Sequence, residues 1–308
     1  QAKKRWLLIN KKKTQLSWIS ALKMGPIRLL RSLRLSREGK KSVAQVFPSE
    51  IIADAMTLGI VNEKSANVDA DLLMPSLTKF GDEPPIKWSK IKKKMSETYP
   101  LFQPRKGSVA SFSGGMQTLV DALVQELKMF ENVKFHFNQD ISKPEEVATE
   151  HHVSISSVIW CAPLERTNED FTSLDVYVAG YHNNGVSEVQ RGYGTLIPDA
   201  DLPISGILHE SDVHSSPRTP ADHRLFRIMA PTSRASSEEA VRACLKQILT
   251  HSEPVIFKKI GTRKIPIYAP GYMSKLDINR EYTRAGWFYS GVSVTHIIAE
   301  AERIADLF

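Results

Sequence analysis

Glycines that precede helical patterns are the first residues of this 308-residue sequence that could do chemistry. Gly114-Gly115 comes before one such pattern, and Gly286 and Gly291 come before another near the end of the chain. Backbone amides at a helix N-terminus favour phosphate, and a glycine lets a ligand approach the backbone closely. A tight loop explains either site alone, but two such sites in one chain strengthen the hypothesis of nucleotide binding. Since the sequence matches neither GxGxxG nor GxxxxGK[ST], no motif establishes phosphate binding.

Histidine and cysteine residues have no spacing that is typical of a metal or redox site. The sequence has no HxxxH pair, and its histidines are scattered. The spacing therefore predicts solvated surface histidines and gives no support to a zinc or hydrolytic mechanism. Cys161 and Cys244 lie far apart in sequence, which predicts two structural thiols and no disulfide. The histidines weighed as ligands are His151, His152, His209, His214, His223 and His251.

Positive charge is concentrated at the start of the chain, whose overall net charge is +7. Residues 1–41 carry thirteen Lys or Arg against one acid, Glu38, and a second Lys cluster at residues 87–94 surrounds Trp88. This asymmetry predicts an anionic partner. Few aromatic residues are interleaved with the cations, so a membrane surface fits better than nucleic acid.

The first half of the chain predicts mainly helices after a pair of strands. Residues 6–9 and 16–19 flank a Lys-rich turn and predict a strand pair. Residues 26–37 predict a basic amphipathic helix that begins at Pro26. Residues 42–57 predict another helix, and residues 69–98 contain further helical material.

The second half predicts alternating helices and strands. Residues 107–160 predict a glycine turn, a helix with regularly spaced apolar residues, and two strands at 133–137 and 155–160. A helix is predicted near 237–249, and another follows Val294. Further strands are predicted at 174–180, 193–197, 204–210, 224–230 and 255–260.

Four blocks of sequence, taken in order, resemble the protoporphyrinogen oxidases of the flavin amine oxidase superfamily. Residues 107–123 (GSVASFSGGMQTLVDAL) are similar to the family's Ser-Phe turn, Gly-Gly pair and following helix. Residues 191–198 (RGYGTLIP), 263–268 (RKIPIY) and 285–294 (AGWFYSGVSV) resemble three later family blocks. The resemblance implies an α/β (α+β mixed) fold, a partial FAD-linked amine-oxidase-like fold with interwoven FAD-binding, substrate-binding and helical membrane-binding parts.

The resemblance also implies a function and site residues. The family uses FAD and O2 to oxidise protoporphyrinogen IX to protoporphyrin IX in haem biosynthesis, at the mitochondrial inner membrane. Because the flavin accepts the hydride, no catalytic acid–base residue is expected. The implied partners are a tetrapyrrole and a membrane surface, without nucleic acid or metal, and a homodimer stays open. The substrate-binding residues implied are Arg5, Tyr193, Leu196 and Met229, of which Tyr193 and Leu196 would sandwich the macrocycle. The FAD-binding residues implied are Ile141, Ala162, Pro163, Gly286, Gly291, Val292 and Val294.

The same resemblance divides the chain into parts and leaves alternatives open. The parts expected are substrate-domain strands at 1–20, a membrane-binding region at 21–104, FAD-binding parts at 105–165 and 266–308, and a substrate-binding sheet at 166–265. The family's GxGxxG turn would precede Gln1, so the chain is expected to be N-terminally truncated. The sequence also departs from the family at residues 60–64, 230–231 and His296. A non-catalytic relative, another flavin amine oxidase, and coproporphyrinogen as substrate therefore remain alternatives.

Overall fold

The computed structural model describes residues 5–9, 12–15, 41–47, 49–73, 111–162, 170–214, 219–234, 237–276 and 281–308. The predicted basic helix at 26–37, the Lys cluster at 87–94 and Pro163 lie outside these residues. Of Arg5 the backbone is described but the side chain is not.

Strands and helices alternate through the described residues, as the sequence predicts for its second half. The strands are β1 (Arg5–Ile9), β2 (Lys12–Gln15), β3 (Ile159–Trp160), β4 (Phe171–His182), β5 (Gly194–Leu196), β6 (Gly206–Leu208), β7 (His223–Pro231), β8 (Ile256–Pro266) and β9 (Thr283–Arg284). The helices are α1 (Val43–Val46), α2 (Glu50–Val61), α3 (Ala70–Leu73), α4 (Gln117–Leu127), α5 (Pro144–Glu150), α6 (Glu210–Val213), α7 (Glu238–Ile248), α8 (Tyr272–Leu276), α9 (Trp287–Ser290) and α10 (Val294–Ala305).

One mixed sheet unites the first residues of the chain with its second half. Its strand order is β2-β1-β5-β6-β7-β4-β8. β1 runs parallel to β5, whereas the other neighbouring strands pair antiparallel. Along β7 buried and half-buried residues alternate, because successive side chains of a strand point to opposite faces. The sheet therefore has two distinct faces, each packed differently.

The two faces of the sheet lie in separate hydrophobic clusters. On the α7 face, Tyr177, Phe226 and Ile228 pack with Val241 and Leu245 of helix α7. On the α2 face, Leu7 and Leu196 pack on a cluster built around helix α2, together with Tyr268, Phe288 and Tyr289. The second cluster joins the sheet to the C-terminal turns of the chain.

Three secondary-structure predictions were wrong and one was partly right. The Lys-rich turn predicted between residues 9 and 16 is instead part of strand β2, Lys12–Gln15, which pairs antiparallel with β1. The single helix predicted at 42–57 is two helices, α1 and α2, because Phe47 takes the extended conformation (φ −87°, ψ 142°) that a following proline favours. Residues 133–137 are irregular instead of a strand, since a period-two pattern alone supplies no neighbouring strand for its backbone. Only 159–160 of the predicted strand at 155–160 is extended.

Helix α4 and the glycine turn before it are confirmed, but the helix contributes nothing to the clusters. The amide of Gly115 donates to the Phe112 carbonyl at 2.9 Å, which closes the turn. All α4 residues are exposed or half-buried, including Leu123, whose exposed fraction is 57%. Among the described residues, none of the helices combines the length and apolar content needed to span a membrane.

Candidate functional site

A short parallel pair of strands brings two predicted cofactor segments together. β3 and β9 pair in register, with Trp160 beside Arg284. The segments that follow these strands, at Ala162 and Gly286, therefore leave the same edge. The hydroxyl of Tyr289 donates to the Ala162 carbonyl at 2.8 Å and joins helix α9 to the segment that follows β3. Ligands of open α/β sheets bind at the carboxyl ends of parallel strands, which is where both segments lie.

Gly286 and Gly291 flank helix α9 and take conformations that suit glycine. Their φ angles are +100° and +113°. A Cβ atom on Gly286 would lie at ordinary contact distance, 3.5 Å, from the Cys161 carbonyl oxygen. A Cβ atom on Gly291 would lie 3.1 Å from the Leu72 carbonyl oxygen and 2.7 Å from Nδ1 of His296. Position 291 thus leaves no room for a side chain, because the protein's own Leu72 and His296 lie there, and the approach of a ligand to Gly291 stays a prediction.

Helix α10 begins directly after these glycines. The Ser293 hydroxyl accepts from the His296 amide at 3.0 Å and caps the helix, as serine commonly does. Val294 is the first helical residue and is exposed. Because a helix N-terminus carries partial positive charge, this end of α10 suits an anionic or electron-rich ligand group.

A buried aspartate, which the sequence analysis did not single out, fixes Leu72 against Gly291. Oδ1 of Asp69 accepts from the amides of Asp71 (2.8 Å) and Leu72 (3.2 Å). Oδ2 of Asp69 accepts from the Met273 amide at 3.3 Å. Burial raises the pKa of Asp69, while the three backbone hydrogen bonds oppose that rise. An aspartate just before a helical segment was the sequence signal that could have indicated this cap.

Two of the predicted substrate residues lie on the α2 face of the sheet. Leu196 is directly opposite Gly206, and Gly206 is directly opposite Met229, so the three occupy one row across β5, β6 and β7. A Cβ atom on Gly206 would contact Met229 Cε at 3.4 Å, and one on Gly59 would meet Leu196 Cδ2 at 3.0 Å. The row is apolar, and its Leu196 end packs beneath helix α2.

The neighbouring row on the same face contains two residues that the sequence analysis missed. It runs from Arg5 through Gly194 and Leu208 to Arg227. Nε of Arg227 lies 3.0 Å from Oε1 of the buried Glu210, which holds the guanidinium in place. Strand alternation counted back from Leu196 and Met229 would have indicated both Leu208 and Arg227.

The structure corrects the predicted pairing of Tyr193 with Leu196. The amide of His209 donates to the Tyr193 carbonyl at 3.1 Å, which continues the ladder of β5 and β6 by one residue. His209 lies on the α7 face, where its ring is 5.1 Å from that of Phe226. Alternation therefore assigns Tyr193 to the α7 face and Leu196 to the α2 face, so the two do not sandwich one ligand.

A buried ionic network positions the turn that carries Tyr193. Asp212 accepts from the Gly192 amide (3.1 Å), from Arg191 (3.1 Å) and from Arg224 (2.9 Å). Arg224 also donates to the carbonyls of residues 186 and 189 at 3.1 and 2.8 Å. The side chains of Asp212 and Arg224 are only 3% and 5% exposed. This network fixes residues 186–193 against β7.

Electrostatics within the network favour a charged aspartate and a neutral histidine. Burial alone would raise the pKa of Asp212, but His209, the Gly192 amide and Arg224 lower it below its ordinary value. Burial lowers the pKa of His209, and Lys13 and Arg224 add to that effect while Asp212 opposes it. His209 is therefore uncharged at neutral pH, with Nδ1 3.5 Å from Asp212 Oδ2.

The predicted site residues thus differ in how far the structure brings them together. Val292 and Leu196 pack against the same cluster, which also contains Leu72, Phe288 and Tyr289. Ala162, Gly286 and Gly291 meet around this cluster through the contacts given above. Ile141 is half-buried in the irregular segment before α5, and its role beside an adenine stays a prediction. Pro163 and the Arg5 side chain lie outside the described part of the chain.

Comparison with known proteins supports the resemblance and gives the fold. No family model matches the chain. The mitochondrial protoporphyrinogen oxidase of Nicotiana tabacum is 26% identical, with 64% of this chain and 50% of that protein covered. The chain therefore spans about half the length of this curated relative.

Three solved structures overlap with the whole length of the chain. A protein from Exiguobacterium sp. 255-15, provisionally named protoporphyrinogen oxidase, is 12% identical with a TM-score of 0.54, covering 100% of this chain and 80% of that one. A reduced UDP-galactopyranose mutase is 12% identical with a TM-score of 0.57, covering 100% and 78%. A triple mutant of putrescine oxidase is 12% identical with a TM-score of 0.52, covering 100% and 81%. The chain has a mixed α/β fold of the flavin amine oxidase type, and it is similar in sequence to a protoporphyrinogen oxidase.

Proposed function

We propose that this chain binds FAD and oxidises protoporphyrinogen IX to protoporphyrin IX with O2, in haem biosynthesis. The observation that carries the proposal is the meeting of the Ala162 segment with the turn that holds Gly286 and Gly291, against the hydrophobic cluster on which Leu196 packs. Similarity to the tobacco enzyme supports the choice of substrate over other flavin-dependent oxidations.

The residues present fit the flavin half of an FAD site. Gly291 has no room for a side chain, and the N-terminus of α10 carries the partial positive charge that favours an electron-rich ring edge. When bound, FAD accepts a hydride, which is chemistry that no side chain can supply. The residues that would hold it are Ile141, Ala162, Pro163, Gly286, Gly291, Val292 and Val294.

Beyond the Leu196 end, which packs beneath helix α2, the α2 face offers apolar contact and cationic positions to a flat substrate that carries two carboxylates. The Leu196–Met229 row is apolar, and the next row begins at Arg5 and ends at Arg227. Those two positions are separated by three strand spacings, or roughly 14 Å. Glu210 engages Nε of Arg227, so the terminal nitrogens of its planar guanidinium are the donors that would meet a propionate. The role of the protein is to orient the substrate and exclude water.

The cation-rich residues 1–41 support a further part of the proposal, which is association with the mitochondrial inner membrane. Thirteen Lys or Arg against a single acid would favour an anionic membrane surface. The tobacco relative carries the description mitochondrial. Sedimentation with vesicles that contain anionic lipid, at low and high salt, tests this part. Charge-driven binding falls as salt rises, and salt-independent behaviour would contradict it.

Binding of FAD is the first test. Quenching of flavin fluorescence is measured on the 308-residue chain and on the full product of its gene. We expect saturable binding that Gly291→Ala weakens at least tenfold, because the added Cβ would meet the Leu72 carbonyl. The matched control is Gly261→Ala in β8, which also has a positive φ, +146°, but contacts only the Arg263 side chain. Equal FAD affinity in Gly291→Ala and Gly261→Ala would remove Gly291 from the site. If neither the 308-residue chain nor the full gene product binds FAD, the result favours a non-catalytic relative.

Oxidation of substrate is the second test. Porphyrin fluorescence is followed after addition of protoporphyrinogen IX, with coproporphyrinogen and putrescine as comparison substrates. Loss of a charged hydrogen bond costs about 1.5–3 kcal/mol, so Arg227→Ala should raise KM for the tetrapyrrole about tenfold or more. Arg242→Ala on α7, which contacts Glu238 and Glu253, is the control and should leave KM unchanged. Turnover of putrescine alone would assign the chain to another amine oxidase activity.

A further inference from the structure

Two histidines that are distant in sequence face each other at one end of the sheet. His182 ends β4 and His223 begins β7, and the register makes them direct cross-strand partners. Their ring centroids are 4.2 Å apart, with the ring planes tilted by 42°. The amide of Asn183 donates to the Asp222 carbonyl at 2.8 Å, and its side chain donates to the Ala221 carbonyl at 3.0 Å. These two bonds hold the ends of β4 and β7 together.

A carboxylate lies between the two imidazoles. Oδ1 of Asp222 is 2.6 Å from Nδ1 of His223, and its Oδ2 is 3.8 Å from Nδ1 of His182. One nitrogen from each ring and one carboxylate oxygen all lie within 4.8 Å of one another. The neighbouring cation, Arg224, is on the opposite face of the sheet and is paired with Asp212 at 2.9 Å. The Asp222 carboxylate therefore contacts the two histidines, and Arg224 does not compete for it.

This set of donors has the chemistry of a divalent transition-metal site. Imidazole nitrogen and carboxylate oxygen are both ordinary zinc ligands, at about 2.0–2.2 Å from the ion. Ligand atoms around a tetrahedral ion at that distance are roughly 3.4 Å apart. Ligand atoms that are up to 4.8 Å apart would therefore approach by up to about 1.4 Å, and the 2.6 Å pair of His223 and Asp222 would separate by about 0.8 Å. His182 and Asp222 are 56% and 72% exposed, which leaves their side chains free of packing that would oppose this movement.

We propose that His182, Asp222 and His223 form a binding site for one divalent transition-metal ion of the zinc type, with water completing its coordination. The bound ion joins the ends of β4 and β7, whose sequence connection runs through 183–222. His223 is six residues from Met229 along β7, or roughly 20 Å, so the site is independent of the proposed flavin chemistry.

Zinc titration of the purified chain, after treatment with chelator and dialysis, tests the proposal. Isothermal titration calorimetry should show one zinc ion per chain. We expect His182→Ala and Asp222→Asn each to weaken zinc binding at least tenfold, because each removes one of three ligands. The asparagine variant keeps the size of the side chain and therefore guards against a loss caused by unfolding. Circular dichroism of each variant checks the fold.

A second histidine pair provides the matched control. The rings of His136 and His151 are 5.2 Å apart, and neither residue is part of a three-ligand group in the described chain. His136→Ala should therefore bind zinc as the wild type does. The proposal is overturned if the wild-type chain binds no zinc at about 100 µM. It is equally overturned if His182→Ala and Asp222→Asn keep wild-type affinity, or if His136→Ala loses as much affinity as they do.

Discussion

Replacement of Asp212 by asparagine is the most informative test of how the Tyr193 turn is held. The carboxylate accepts hydrogen bonds from Gly192, Arg191 and Arg224, and it is almost completely buried. Asparagine preserves the shape of the side chain but removes its charge. It also presents an amide donor to groups that are themselves donors.

The expected loss in the free energy of unfolding follows from the charge that remains buried in the Asp212→Asn variant. Arg224 is only 5% exposed, so the variant leaves a buried guanidinium without its counter-charge. Removal of one partner from a buried ion pair costs about 3–5 kcal/mol. Arg191 provides the matched comparison, because its side chain is 57% exposed and contacts the same carboxylate. Loss of an exposed ion pair costs about 0–1 kcal/mol, so Arg191→Ala should be nearly neutral.

Urea denaturation of the three proteins measures these differences in the free energy of unfolding. The double variant Asp212→Leu/Arg224→Met removes both charges and should recover much of the loss, since apolar replacement of a whole buried pair is often neutral. A cost below about 1 kcal/mol for Asp212→Asn would refute the assignment of a buried, paired Arg224. An equal cost for Arg191→Ala would show that burial does not separate the two contacts.

Three further predictions concern stability. His209 has a folded-state pKa below its ordinary value of about 6.5, so its contribution to stability is present above pH 6.5 and lost as pH falls below it. His209→Gln should therefore reduce the loss of stability between pH 7.5 and pH 5.0, as measured by urea denaturation; an unchanged pH profile would contradict a neutral buried His209. Phe226→Ala, at the centre of the α7 face, should lower the free energy of unfolding by about 3–5 kcal/mol, and a loss near zero would contradict its packing. Ser237→Ala removes the hydroxyl that accepts from the Ala240 amide at 3.2 Å and should cost about 1 kcal/mol in the same assay. Ser237→Asp should retain the cap and most of that stability.

The apolar periodicity of the sequence correctly predicted the helices and strands that have a long, regular pattern of apolar residues. β4, β7, α7 and α10 fall where apolar spacing placed them, within a few residues, whereas β8 continues to Pro266, well past its predicted end at 260. Residues 133–137 show the limit of the method, because alternation describes a surface that could pair but does not supply the neighbouring strand. Helix α4 shows a related limit, since its apolar stripe is clear in sequence while its packing partner is not.

The site residues divide in the same way. The sequence by itself indicated that Gly286 and Gly291 occupy a turn before a helix, because glycines just before a helical pattern are a local signal of such a turn. It could not determine that Leu72, held by Asp69, is the group that lies against Gly291, since that contact joins residues more than two hundred positions apart. Such contacts depend on how distant helices and strands pack, which the spacing of residues within one segment does not indicate.

Register was also decided only by the tertiary structure. The sequence named Tyr193 and Leu196 as a pair, yet pairing of β5 with β6 assigns them to opposite faces and brings Leu208 and Arg227 onto the face of Leu196. In the same way, the pairing of β4 with β7 joins His182 to His223, which sequence spacing had treated as scattered. A strand's residue types follow from its sequence, but which residues share a face across the sheet depends on a register that hydrogen bonds between distant segments establish.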